Sequence, residues 1–199
     1  MKTIIAVVYC LLCLSLVGAS AGPIPAQVEE PREREHFGAR AFLQSGGAAG
    51  ANANVDFYIK SYTSDEEAQM LGGMLLDGGP DVLLKALEKA ESKGKITLTG
   101  RVGFYDLKLI RSRPTETGRR IYAVGDRPIG FLEAFYSTRS RDYQFGIIIL
   151  DLKKDKKGKE KGEGVLIYAA KIKVLDGNKL EIENYGISPI RLSAVRKLS

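Results

Sequence analysis

Histidine and cysteine, two residues on which many nucleophilic and acid–base mechanisms depend, are scarce in this chain, whereas carboxylates, lysines and tyrosines are plentiful. It contains one histidine, His36, and two cysteines, Cys10 and Cys13. Both cysteines fall in an apolar N-terminal segment, and His36 falls in a segment rich in charge and proline. Ser-His-Asp triads, Cys-His dyads and zinc sites need histidine or thiolate inside the folded domain. The sequence therefore favours a protein that is not an enzyme of these classes, and it predicts no bound metal and no cofactor.

Glu133 is the carboxylate whose surroundings point most directly to acid chemistry. In the strand-like run 129–138 it shares a face with Ile129, Phe131 and Phe135. An ionised carboxylate is costly to bury among aromatic side chains unless it is paired or hydrogen-bonded. We expect an edge strand, or a structural pairing of Glu133 with an arginine. The alternative is a buried acid with a raised pKa that acts as a general acid in a hydrolase or lyase.

Several arginines lie near the ends of predicted hairpins and form a candidate binding site. If the hairpins stack in register, these guanidinium groups converge at one end of the sheet, where they suit a carboxylate, phosphate or sulfate. The alternative is a solvated surface with ordinary ion pairs, which contribute little. The predicted ligand-binding residues are Arg111, Arg113, Arg120, Arg139 and Arg141.

Residues 153–161 combine six lysines with two acids, Asp155 and Glu160. The segment lies between two strongly apolar runs and contains Gly158, so it is typical of a long, mobile hairpin loop. Alternatively, it docks onto an anionic lipid surface, where each lysine contributes about 1 kcal/mol.

The first 21 residues have the organisation of a secretory signal peptide. A basic start precedes a 14-residue apolar run at 4–17, and small residues follow at 18–21. A membrane anchor is the alternative, but a spanning helix needs about 20 apolar residues. The sequence therefore predicts an exported protein, periplasmic or secreted, with no transmembrane span after cleavage. The mature chain would lack cysteine and therefore disulfides.

The whole chain has 199 residues and a formal net charge of +6. Removing the first 21 of these residues leaves 178, which suits one domain. The basic excess favours an anionic partner, such as an anionic small molecule, a lipid or an envelope component. Nucleic acid is disfavoured, because the chain contains no tryptophan and no nucleic-acid-binding motif.

We divide the remainder of the chain into a disordered tether, residues 22–54, and a single domain, residues 55–199. The tether contains three prolines, a mixed charge run and a stretch of glycine, alanine and asparagine at 44–54. Such a composition offers little apolar surface to offset the entropy of ordering.

The domain is predicted to be α+β: an antiparallel meander forming a curved sheet or open barrel, with two short N-terminal helices packed against it. A capping box begins the first helix at Ser64, and Pro80 begins the second. Short alternating runs separated by turn residues follow Gly94. The run 145–152 is apolar on both faces, which predicts a central strand covered on both sides.

Several short strings of the domain are distinctive when taken together. They are RSRP at 111–114, GRRI at 118–121, DRP at 126–128, TRS at 138–140 with DY at 142–143, AAKI at 169–172, IENYG at 182–186, and RL at 191–192 with VRK at 195–197. These strings resemble those of a family of small exported bacterial proteins that has no assigned function. The resemblance implies a bacterial envelope or secreted setting, and it implies no reaction type.

Together these features favour an exported, non-enzymatic binding or interaction module. Its sheet would present an arginine rim for an anionic ligand or an apolar concavity for a lipid-like one. A carboxylate-dependent hydrolase or lyase is the second hypothesis. A structural envelope protein, which uses the tether and the lysine-rich segment to bridge surfaces, is the third.

Overall fold

The computed structural model describes residues 34–44, 50–130, 142–177, 179–185 and 188–199. Within these residues the chain forms ten strands and one helical element, α1. The strands are β1 (Glu35–Phe42), β2 (Asn52–Ile59), β3 (Gly94–Leu98), β4 (Tyr105–Leu107), β5 (Leu109–Thr115), β6 (Gly118–Gly125), β7 (Phe145–Lys154), β8 (Glu160–Leu175), β9 (Lys179–Asn184) and β10 (Ile190–Lys197); α1 is Asp65–Lys89. The predicted signal segment and the predicted sites Glu133, Arg139 and Arg141 lie outside the described residues.

The strands form an antiparallel sheet that curls into a nearly closed barrel. Its order is β4-β3-β2-β1-β10-β8-β7-β6-β5, and β9 pairs with β8 off this path. The two ends of the path, β4 and β5, are consecutive in the chain and separated by Lys108 alone. The backbone N–H of Lys108 donates to the carbonyl of Val124 on β6 at 2.8 Å. The α+β class and the antiparallel sheet are therefore confirmed.

Alternate strand residues divide the core into two layers. One set fills the barrel interior and includes Phe37, Ile121 and Leu150. The other set lies on the outer face beneath α1 and includes Phe145 and Ile147. Strand β7 contributes to both layers and pairs with β6 and β8. The prediction that 145–152 is a central strand covered on both sides is confirmed.

The prediction of two short helices is wrong, because α1 is a single helical element with a kink. The Ser64 side chain caps its N-terminus by accepting from the Glu67 N–H at 3.2 Å. Gly79 alone leaves helical geometry, at φ 78°, a region that glycine enters readily. Leu71 and Leu83, on either side of the kink, pack in the same layer. Helical structure therefore resumes at once instead of passing through a loop.

The prediction of a disordered tether is wrong for residues 35–42 and 52–54, which lie in β1 and β2. Strand β1 pairs with both β2 and β10. Its inward side chains alternate with polar ones, and Phe37 is only 1% exposed. The average apolar content of the segment is low, but a half-buried strand requires only that apolar and polar side chains alternate. The domain therefore begins before residue 55.

Glycines on β8 allow this strand to lie close to β7. A substitution at one of them can be compared with the same substitution at a glycine that has open space around it. A Cβ at Gly162 would collide with the carbonyl oxygen of Asp151, whereas a Cβ at Gly73 in α1 meets nothing within 4 Å. Gly162→Ala should lower the free energy of unfolding by about 3 kcal/mol through overpacking. Gly73→Ala should raise it by up to about 1 kcal/mol through helix propensity. Urea unfolding measures the free energy of unfolding of both variants. Equal effects of the two substitutions would contradict the close packing of β8 against β7 at Gly162.

Candidate functional site

A cluster of charged side chains closes one end of the barrel. Arg119 and Glu160 stand at the starts of β6 and β8, Glu35 at the start of β1, and Lys197 at the end of β10. In antiparallel neighbours these termini meet at the same end of the sheet. Tyr62, which follows β2, joins them from the segment leading to α1.

Arg119 lies at the centre of this cluster. Its Nε and Nη2 donate to the two oxygens of Glu160 at 2.8 and 2.6 Å. Nη2 and Nη1 also donate to Glu35, at 2.8 and 3.2 Å, and Nη1 donates to the Tyr62 hydroxyl at 2.9 Å. A guanidinium has five N–H donors, and these contacts use all of them. Arg119 therefore has a structural role and has no donor left for a ligand.

Glu35 is held in its ionised form by this cluster. Only 7% of its side chain is exposed, and burial by itself raises the pKa of a carboxyl group. Hydrogen bonds from Arg119, Tyr62 and Lys197 outweigh burial and hold the pKa of Glu35 below its usual value. Burial acts to lower the pKa of Arg119. Its hydrogen bonds to Glu160 and Glu35 outweigh burial and hold that pKa above its usual value. An anion stabilised in this way is a poor general acid.

A cleft of about 900 Å³ lies over the charged cluster. Its lining is more cationic than anionic, although the cluster beneath it is internally balanced. Among the described residues, six cationic side chains and three side-chain carboxylates line it: Arg111, Arg113, Arg119, Lys154, Lys159 and Lys197, with Glu35, Asp65 and Glu160.

The rim of this cleft carries cations that lie outside the hydrogen-bonded cluster. Arg113, Lys154 and Lys159 make no side-chain hydrogen bond and no ion pair with any residue in the described ranges, although the Asp65 carboxylate attracts Arg113 through space. Arg111 is partly engaged, since it donates to the Thr63 carbonyl at 2.8 Å and to Asp65. The rim therefore presents cationic donors that the described residues do not engage in hydrogen bonds.

The lysine-rich segment is a short hairpin, and the prediction of a long loop is wrong. Strand β7 continues to Lys154 and β8 begins at Glu160. The Asp155 carboxylate accepts from the backbone N–H groups of Lys157 and Lys159 at 2.8 and 3.0 Å, which closes the turn. This turn holds Lys159 at the edge of the cleft.

The structure separates the predicted arginines. Arg111 and Arg113 line the cleft, whereas Arg120 lines a different surface depression. In register, Arg120 lies between Arg113 on β5 and Asp151 on β7, and its Nε donates to Asp151. Attraction to the carboxylate and repulsion from the neighbouring guanidinium both direct it away from the cleft. The prediction that Arg120 belongs to the same site is wrong.

His36 lies within the domain, so the expectation that the domain has no histidine is wrong. Its Nε2 lies 2.8 Å from Asp56 Oδ1, and its ring stacks on Tyr58 with centroids 4.2 Å apart. The Thr99 hydroxyl donates to the other oxygen of Asp56 at 2.6 Å. The hydroxyl therefore contacts the carboxylate rather than the imidazole, unlike the nucleophile of a Ser-His-Asp triad.

Sequence reasoning missed Arg119, Glu35 and Glu160 as members of the site. The available signal was strand alternation, which places Glu35 on the face of Phe37 and Arg119 on the face of Ile121. Charges on an apolar strand face require partners. The partners lie 84 and 41 residues away in the chain, so pairing them required the register of the sheet.

Among the residues described, no three His, Cys, Asp or Glu side chains are grouped as ligands of one metal ion. None of the described helical structure has the length and apolarity that crossing a bilayer requires. Comparison of the chain with protein-family models, curated proteins and solved structures finds no match.

The pKa of Glu35 predicts a specific pH dependence of stability. Because its folded pKa is lowered, its contribution is fully present above its ordinary value of 4.5 and is lost as the pH falls through the lower folded value. Glu35→Gln should lower the free energy of unfolding by about 3 kcal/mol at pH 7, because it breaks a buried ion pair. The difference between wild type and variant should shrink below pH 4.5.

Denaturant unfolding at a series of pH values measures this difference. Glu116 is exposed and makes no ion pair with the residues described, so Glu116→Gln provides the matched control and should change stability by less than about 0.5 kcal/mol. A difference between wild type and Glu35→Gln that is constant from pH 7 to acid would contradict the assignment of an ionised Glu35.

Proposed function

We propose that this protein is an exported, non-enzymatic binding module whose cleft takes an anionic ligand. The observation that carries the proposal is the contrast between the base and the rim of the cleft. Arg119 at the base has all its donors engaged, while Arg113, Lys154 and Lys159 at the rim make no side-chain hydrogen bond or ion pair with the described residues.

Arg113 is the residue best suited to contact the ligand. No described residue accepts a hydrogen bond from its guanidinium, and two of its five donors can form a bidentate contact with a phosphate, sulfate or carboxylate. Arg111 retains three of its five donors after its bonds to Thr63 and Asp65. Lys154 and Lys159 add positive charge without requiring a particular ligand shape.

The charged cluster forms a fixed floor beneath the rim of the cleft. Arg119, Glu35, Glu160 and Lys197 together carry no net charge, and the side chains of Arg119 and Glu160 are only 15% and 10% exposed. A ligand therefore gains from the rim without disturbing the base. Exposed cations are screened by salt, so affinity should fall as ionic strength rises.

The exported and bacterial setting is part of this proposal. It is supported by the signal-like residues 1–21 and by the family resemblance of the strings beginning at 111–114. The positively charged rim suits the anionic partner that the net charge of +6 favours. No observation on the described residues favours the hydrolase or the structural envelope hypothesis over this one.

The proposal predicts that Arg113 and Arg120 differ in their effect on binding, although both carry one positive charge. Arg113→Gln should weaken the binding of inorganic phosphate about tenfold, because a charge-assisted bidentate contact is lost. Arg120→Gln should weaken it less than about twofold, because Arg120 neighbours Arg113 across the strands but donates to Asp151 and does not line the cleft. Isothermal titration calorimetry at low salt measures both affinities.

Thermal unfolding of each variant controls for loss of fold. Equal weakening by the two substitutions would mean that phosphate responds to net charge and not to the cleft. Absence of phosphate binding by the wild-type protein would overturn the proposed function.

A further inference from the structure

Strand β5 connects the charged cleft to a second, apolar space. Leu109, Arg111 and Arg113 follow one another on the outer face of the strand, about 7 Å apart at each step. Arg113 lines the cleft, Leu109 lines a cavity beneath α1, and Arg111 lines both. The outer face of β5 therefore changes from apolar to cationic within five residues.

The cavity beneath α1 is small and almost entirely apolar. It has a volume of about 40 Å³, room for no more than a few water molecules. Arg111 is the one charged residue among those lining it. The others are Ala68, Leu71, Gly72, Leu75, Leu83, Leu87, Leu109, Val124, Ile147, Ile172, Leu180 and Ile182.

The first turns of α1 border both spaces. Asp65 lines the cleft, and Ala68 and Leu71 line the cavity. The ion pair between Asp65 and Arg111 lies at the boundary. The side chain of Asp65 is 72% exposed and that of Arg111 12% exposed. Asp65 can therefore move into solvent, while the aliphatic stem of Arg111 stays as part of the wall.

Helix α1 also contains glycines that make it easier to distort near this boundary. Gly72 and Gly73 lie within it, and Gly79 interrupts its helical geometry. Each interior glycine weakens a helix by about 1 kcal/mol relative to alanine. An outward shift of the first turns would enlarge the cavity along the line of β5.

We propose that the cleft and the cavity together bind a free, single-chain amphiphile with an anionic head group. The head contacts Arg113 in the cleft, and the alkyl chain passes Arg111 and enters the apolar space beneath α1. This inference rests on the proposed function and names its ligand class. It follows from the position of Arg111, which lines both the cationic cleft and the apolar cavity.

The experiment uses inorganic phosphate, butyl phosphate and octyl phosphate, each below its critical micelle concentration, with octanol as the uncharged probe. Affinity measured by calorimetry should rise with chain length, by up to roughly fourfold for each methylene that becomes buried. Octanol should bind more weakly than octyl phosphate, and Arg113→Gln should remove that advantage.

Ala68→Leu tests the path of the chain, because it adds volume to the cavity without adding charge. This variant should bind octyl phosphate no more tightly than butyl phosphate. Gln69→Leu adds the same side chain at the neighbouring, exposed position of α1 and should retain the full dependence on chain length.

The outcomes separate the two proposals. Phosphate binding that depends on Arg113 but not on chain length would overturn the amphiphile inference and leave the proposed function intact. Absence of binding by all three phosphates would overturn both. Recruitment to phosphatidylglycerol vesicles without binding of the monomeric phosphates, unchanged by Ala68→Leu, would assign the cleft to a membrane surface and overturn the inference.

Discussion

The five-donor engagement of Arg119 is the constraint on which the rest of the structure depends. One guanidinium joins the starts of β1 and β8 to its own strand β6, through Glu35 and Glu160. Lys197 at the end of β10 completes the cluster with a 3.0 Å contact to Glu35. Buried charges are tolerated only when they are paired and hydrogen-bonded. The pairing therefore determines how this end of the barrel closes and which way the strand ends face.

The same pairing determines which charges remain for a ligand. Because the cluster balances its own charge, the rim supplies the cleft cations that make no hydrogen bond or ion pair with the described residues, and Arg113 is the one with a planar, bidentate group. The short β7–β8 turn places Lys159 beside it. On the outer face of β5, Arg111 then links this rim to the apolar layer beneath α1. Structure and proposed binding thus follow from one division between engaged and available guanidinium groups.

Local patterns in the sequence predict much of the fold. The apolar run of β7, the Ser64 cap and the change of conformation near Gly79 all depend on neighbouring residues. The segment containing β1 has the average composition of a linker, which predicts disorder, and only the alternation of Phe37 with polar residues indicates a strand. The position of Arg111 and Arg113 near the end of a hairpin predicts them as ligand-binding residues, and both line the cleft. Arg119 and Arg120 are adjacent in sequence, and only the register of distant strands reveals that one is buried in the cluster and the other pairs with Asp151.

The division between engaged and available guanidinium groups can be observed directly by NMR of the arginine Nε–Hε groups. Inorganic phosphate titrated into the ¹⁵N-labelled protein should shift the Arg113 resonance progressively to saturation. The Arg119 resonance should stay in place and remain protected from solvent exchange, since its Nε donates to Glu160. A saturating shift of Arg119 or Arg120 without one of Arg113 would contradict the account.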